Sequence, residues 1–486
     1  MKNLKTILLL VFITSIFNRC TDHVDYEAIE GYSITADVYF QQESDYDAAL
    51  VGTYDPLQWL FFNIQLGAIA SELSLCGGES ATDYIGIQQV DNMTHYPENN
   101  VLRQIWQFLY EGVNRANYME ENKSNIDFDG KEAMYGEVYF LRAYYYFELV
   151  KFFGDVPLFT EARLTAGQAG TLTRAPKDEV YAQIELDLQN AIATLPDAQS
   201  QVGRVNKYTA YALLGKVLLY QDKFSEAATA LDNVIGVYQL VNDYGSQFLR
   251  FGENGPESVF EIQYSNQSNW YDWGCAHCSE GNYAIIMNGP RGWSGPEYAQ
   301  GWSFNVPTEE FYNSFEEGDS RRDATVLDIE AFAAATGASY TEGYDHTGYF
   351  NNKYIPRAGE SGGQTELNYL TNFRIIRYSD VLLMAAEAYN RGGIDDGLAQ
   401  EFLNQVRRRA FGGDDNDISA SGSALTDAIW EERKFELSLE GHRFFDLVRT
   451  GRASSLIAGF VEGKHEVFPI PQQEVDISGL TQNAGY

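Results

Sequence analysis

The sequence predicts an all-α protein: antiparallel helix pairs forming a superhelical scaffold, interrupted by one long loop-rich insertion. Three observations point to this class. Apolar residues recur at helical steps over long stretches on both sides of the insertion. Two helix pairs, far apart in the chain, carry small residues at comparable offsets. Between them, residues 240–370 are rich in Gly, Asn, Ser and aromatics and show few helical periods.

The chain has 486 residues, 44% of them hydrophobic, enough to bury a sizeable core. Its formal charge of −35 repels phosphate backbones, so nucleic acid is excluded as an expected partner and polyanionic ligands are disfavoured. Aromatic residues reach 14%, with 33 tyrosines, and require an explanation in packing or in binding.

Residues 1–20 form a targeting segment. Lys2 and Lys5 precede an apolar run from Ile7 to Phe17, too short for a comfortable membrane span, which leads to Cys20. A signal ending in cysteine resembles a bacterial lipoprotein signal, with Cys20 as the acylated (palmitate-bearing) residue; the alternative is an ordinary secretory signal. Asp22, Asp25 and Glu27 follow and resemble the acidic tag of lipoproteins sent to the outer face of the outer membrane. No other run approaches the roughly 20 apolar residues of a spanning helix, so the expected membrane attachment is the lipid anchor alone. Beyond Cys20, three cysteines remain: Cys76, Cys275 and Cys278. The "CAHC" stretch lies in a loop, and a structural zinc would have only His277 and distant Cys76 as further ligands. A local disulfide or paired thiols in an oxidising compartment is the expectation.

The first strong helix covers 131–153. Met134, Val138, Leu141, Tyr145, Leu149 and Phe152 form one stripe, and Phe140, Tyr144 and Phe147 a second, as in a helix buried between neighbours. Gly154 and Pro157 end it. Its tyrosines are therefore packing residues whose hydroxyls need partners at the core edge. A helix from Tyr181 to Pro196 follows. Residues 211–236 then carry Leu214-Gly215 and Ala227 at the offsets of a tetratricopeptide repeat, where small residues let antiparallel helices approach. Ala386, Tyr389 and Phe402 take comparable places downstream, and such pairs are expected to stack together across the insertion. Trp59 and Trp106 sit in helical patterns and are expected in the core.

Several segments resemble the SusD/RagB family of outer-membrane nutrient-binding lipoproteins. They are "IWQFLYEGVNRANYME" (105–120), "RAYYYFELVKFFGDVPL" (142–158), "FRIIRYSDVLLMAAEAYN" (373–390), "IWEERKFELSLEGHRFFDLVRTGR" (429–452) and "FPIPQQEVDISGLTQNAGY" (468–486). The resemblance runs from the signal to the last residue. It departs at Arg19, before the cysteine, and at Ala484, where proline is usual. It implies an α-helical, tetratricopeptide-like SusD-like fold: a signal at 1–20, an N-terminal region at 21–240, and a C-terminal region at 241–486 with the ligand-binding insertion. It also implies a partner, a SusC-like TonB-dependent β-barrel transporter. The lipoprotein covers this barrel at the cell exterior and passes it oligomers, usually glycans.

No G-x-S-x-G, H-E-x-x-H, Walker A, G-x-G-x-x-G or EF-hand pattern is present; no cofactor, metal-site residue or enzymatic activity is expected, and a calcium ion in a carboxylate-rich surface loop stays open as an alternative. The strongest polar cluster is Glu432, Arg433, Glu436, Glu440, Arg443 and Asp446. Its glutamates Glu432, Glu436 and Glu440 fall four apart, on one expected helix face, and with arginines interleaved they are expected to form an ion-pair network rather than a glycosidase pair. Binding has clearer candidates. A sugar ring offers an apolar C–H face and a rim of hydroxyls, matched by an aromatic face flanked by amides or carboxylates. "NQSNWYDWGC" interleaves these types in Asn266, Asn269, Trp270, Tyr271, Asp272 and Trp273. Trp293 is a further candidate, whereas Trp302 and Phe304 lie in a segment that resembles family scaffold. A second wall is expected at 71–89, beside Gly77-Gly78, with Asp83 and Tyr84 as contacts. The expected ligand is a neutral glycan, with peptide capture or a purely structural lid as the alternatives.

Overall fold

The computed structural model describes residues 39–267, 275, 278–361 and 367–486. The aromatic stretch lies in a helix, Lys131–Phe153, that is buried nearly all round. Tyr135, Tyr145, Tyr146, Phe140, Phe147 and Phe152 are among the largest fully buried side chains. Three of the helix's five tyrosine hydroxyls find carbonyls, Tyr135 donating to Met119 O (2.6 Å), Tyr145 to Thr53 O (2.7 Å) and Tyr146 to Phe159 O (2.7 Å), while the Tyr139 hydroxyl accepts from Lys123 (2.9 Å). Gly154, at φ 71°, ends the helix in a conformation that favours glycine. The tyrosines are thus scaffold, as their spacing predicts.

Helices pair along the chain. Asn100–Glu121 opens on Asn99, whose side chain accepts from the Val101 and Leu102 amides, and lies against Lys131–Phe153. Lys177–Thr194 packs on the other side, joined by buried Arg142 and Asp187 at 2.8 Å. Lys207–Leu219 and Phe224–Asp232 form the next pair. A Cβ on Gly215 would stand 2.5 Å from Leu231, so the small residue at this repeat offset sets the helix approach. Tyr378–Arg391 and Asp396–Phe411 form the downstream pair. The two pairs stack as expected: Lys216 reaches Asp380 at 3.1 Å, and the Tyr389 hydroxyl reaches Asp232 at 2.9 Å.

An antiparallel strand pair makes this stacking possible. Ser258–Ile262 pairs with Phe373–Arg377, Phe373 opposite Ile262 and Arg377 opposite Ser258. It clamps the two ends of the insertion, so the chain re-enters the array at Tyr378, whose amide donates to Glu257 O (2.9 Å). The strands form only two-stranded sheets among the described residues, and the fold is mainly helical with tetratricopeptide-like pairs. No described helix is long and apolar enough to cross a membrane.

The glutamate cluster is interior. Glu432 binds Arg321 (2.6 Å) and Arg407 (2.8 Å), while Glu436 binds Arg321 (3.2 Å), Arg377 (2.8 Å) and Arg409 (2.6 Å). Glu440 binds Arg377 (2.8 Å) and Lys353 (2.7 Å). The three glutamates do not share one helix face. The helix is Ser423–Leu437, so Glu440 lies beyond its end, past Leu439 at φ 63°. The guanidinium groups of Arg409, Arg377 and Arg321 hold the buried Glu436 carboxyl well below the usual range. All three carboxylates are buried and engaged by cations, so an ion-pair network forms as expected, but not with the interleaved arginines: Arg433 pairs with Asp380 and Asp446, and Arg443 with Glu72.

Candidate functional site

The glycine pair expected to mark a loop joins two distant segments. Strand Ser74–Gly77 runs antiparallel to Phe304–Pro307, with Gly77 opposite Phe304. The Gly78 amide donates to Ser303 O (2.7 Å), and the Tyr344 amide donates to Gly78 O (2.8 Å). Neither glycine tolerates a side chain. A Cβ on Gly77 would lie 2.1 Å from Ser303 O, and one on Gly78 would lie 2.8 Å from the Phe304 ring. Both have positive φ, 72° and 100°.

Four non-glycine residues around this junction also have left-handed backbones: Tyr84 (φ 49°), Ser303 (58°), Asn305 (54°) and Asp345 (51°). Each costs on the order of 1–3 kcal/mol, and strain of this kind concentrates where a surface is held in shape for function. Tyr84 immediately precedes helix Ile85–Asp91. Its half-buried ring lies 5.4 Å from Phe62 and 6.2 Å from Phe304. Burial pushes its hydroxyl up to about 12, against a hydrogen bond from Tyr283. Tyr283 stands edge-on to Trp302, centroids 5.7 Å apart, and the Trp302 ring is half-buried.

A polar rim adjoins these rings. Asp83 accepts from the Glu79 amide (2.8 Å) and pairs with Arg291 (2.9 Å). Arg291 also approaches Glu79 (3.6 Å) and donates through Nε to Trp302 O (2.9 Å). Tyr84 and Trp302 therefore offer aromatic area, flanked by two carboxylates and a guanidinium held by fixed hydrogen bonds. That combination suits a ligand with an apolar face and a hydroxyl rim.

The structure thus brings Asp83 and Tyr84 together with Trp302, whose half-buried ring packs against the main core in keeping with the scaffold segment the sequence assigns it to, and Phe304 is core as expected. Arg291 and Tyr283 carry no local sequence signal, because their role depends on a contact across 200 residues of chain. Trp293 does not join this surface. It is 9% exposed and packs against Tyr298 and Phe332, with centroids 5.9 and 6.0 Å away. Trp59 and Trp106 are buried, as expected.

Asn269, Trp270, Tyr271 and Trp273 lie outside the described residues, as does Cys20. The segment that carries the first four is bracketed by fixed points. The Ser265 amide donates to Glu280 O (2.8 Å), and Cys275 and Cys278 form a disulfide, the local bridge expected of "CAHC". Tyr283 of the aromatic surface follows the disulfide by five residues. A groove of about 520 Å³ runs nearby, lined in part by Tyr54, Gln58, Arg204, Gln263 and Glu280. Among the described residues no group of three or more His, Cys, Asp or Glu is placed to hold a metal ion.

Comparison with known proteins agrees with this architecture. A model of the SusD family matches residues 256–459, and a second, described as starch-binding and associating with the outer membrane, matches 74–219. A laminarin-binding SusD-like protein of known structure is 36% identical, covers 92% of this chain and 100% of its own, and superposes with a TM-score of 0.84. Surface glycan-binding protein A from Bacteroides thetaiotaomicron, solved in complex with laminarihexaose, is 30% identical over 91% of this chain and 99% of its own, with a TM-score of 0.81. SusD-like protein P2 of Formosa agariphila is 28% identical over 92% of this chain and 94% of its own. With helix pairs, insertion and closing helices all matched over nearly its whole length, the chain belongs to the SusD family.

Proposed function

We propose that this protein is a cell-surface lipoprotein, anchored through Cys20 in the outer membrane, that captures a neutral glycan oligomer and hands it to a SusC-like TonB-dependent transporter. The observation that carries the reading is the joining of two distant loops into one strained surface, where Tyr84 and Trp302 stand beside Asp83 and Arg291. Two relatives of known structure bear laminarin or laminarihexaose in their names, which favours a glycan of that class. The formal charge of −35 favours an uncharged ligand over an acidic one. Asn269, Trp270, Tyr271 and Trp273 complete the site in this reading, since their segment starts and ends close in sequence to Tyr283.

The test is electrophoretic retardation of residues 21–486 in gels containing laminarin, a second neutral polysaccharide, or an acidic one. Retardation by laminarin and not by the acidic polymer is expected. Equal mobility in every gel, with binding to peptides instead, would overturn the glycan reading.

A further inference from the structure

Most aromatic side chains of this protein are buried or half-buried. Among the described residues only Tyr96, Phe251 and Tyr344 are exposed. Tyr344 differs from the other two in its position. It follows strand Ser339–Thr341, which pairs with Arg291–Ser294, the strand that supplies the rim arginine. Its amide donates to Gly78 O at 2.8 Å, at the junction that shapes the candidate surface.

The loop is built to place this residue. Gly343 fits so closely that a Cβ would stand 2.7 Å from Gly78 O and 2.8 Å from Ser303 Cβ. On the other side Asp345 holds a left-handed φ of 51°. A close backbone approach and a strained residue thus flank a tyrosine that is 36% exposed. A residue that served only to fill the core would be buried by such an arrangement. A platform fixed before the ligand arrives instead lowers the ordering cost of binding.

We infer that Tyr344 is a ligand-contacting, specificity-determining residue: its ring packs on the apolar face of a sugar unit, adding a wall to the surface formed by Tyr84 and Trp302. Gly343 acts as a positioning residue for it. This inference rests on the glycan-binding reading above and names a contact on the 343–345 loop that the reading alone does not require.

The experiment is calorimetric titration of laminarihexaose into residues 21–486, using the unmodified protein, Tyr344→Ala, Tyr344→Phe, Gly343→Ala and Tyr84→Ala, with Tm measured for each. Tyr344→Ala is expected to weaken binding at least fivefold at unchanged Tm, and Tyr344→Phe to stay within twofold. Gly343→Ala is expected to weaken binding although it removes no contacting group. If the unmodified protein and Tyr344→Phe bind, Tyr84→Ala loses affinity and Tyr344→Ala binds normally, the Tyr344 inference falls and the site reading stands. If the unmodified protein binds no laminarihexaose, the glycan reading falls and takes this inference with it.

Discussion

Asp91 and His95 are neighbours in sequence, and both are withdrawn from water, yet they bend the stability of the protein with pH in opposite directions. Burial pushes the Asp91 carboxyl up to about 6, with repulsion from Asp345 adding to the shift and the Cys76 amide opposing it. A carboxyl whose folded value lies above its unfolded value of 3.8 contributes stability below that value and loses it as pH rises through about 6. Burial pushes His95 down to about 3, helped by His465 and Lys464, while its Nε2 lies 2.8 Å from the Tyr486 hydroxyl. That group contributes stability above 6.5 and loses it as pH falls towards 3. Asp91→Asn keeps an acceptor for the Cys76 amide and removes the buried charge. It should raise stability by roughly 1–3 kcal/mol at pH 8 and by much less at pH 4. His95→Gln should flatten the loss between pH 6.5 and 4. Denaturant melts across that range check both, and parallel curves for variants and parent would refute the assignment. Neither shift is legible in the sequence, because each depends on what covers the side chain.

At the level of elements, legibility follows from how local the cause is. The Lys131–Phe153 helix is plain in the sequence because its apolar stripes, Gly154 and Pro157 all lie within one window. The ion-pair helix Ser423–Leu437 is only half legible. Its charges predict pairing, but Arg321, Lys353 and Arg377 come from elsewhere in the chain and cannot be assigned beforehand. Glu436 is the hub, touching three guanidinium groups. Glu436→Gln leaves those cations buried without their shared counter-charge and should cost about 3–5 kcal/mol. Thermal unfolding measures this directly; a loss below about 1 kcal/mol would show that the network is replaceable. The candidate site is the least legible element. Asp83 and Tyr84 are visible as loop residues beside a glycine pair, whereas the nearness of Trp302 to them depends on the pairing of Gly77 with Phe304, which no local pattern announces. The left-handed backbones of Tyr84, Ser303, Asn305 and Asp345 have no sequence signature, since none is a glycine.

Across the whole molecule, the helical array and the insertion divide the work. Stacked helix pairs supply the buried aromatic core, and the Ser258–Ile262 and Phe373–Arg377 strands clamp the insertion to it. The insertion then meets the 74–84 loop and presents aromatic and charged groups on a surface fixed before any ligand arrives. A rigid platform of this kind predicts affinity that depends on few side chains and little on refolding. Capture of a neutral glycan at this surface is measured by calorimetric titration of laminarihexaose into residues 21–486. Two double variants belong beside it: Tyr84→Ala with Trp302→Ala, and Trp270→Ala with Trp273→Ala. Saturable binding that weakens at least tenfold in each double variant, with each variant still folded by circular dichroism, is the predicted result. Absence of saturable heat, or equal affinity in the parent and both double variants, would contradict the account.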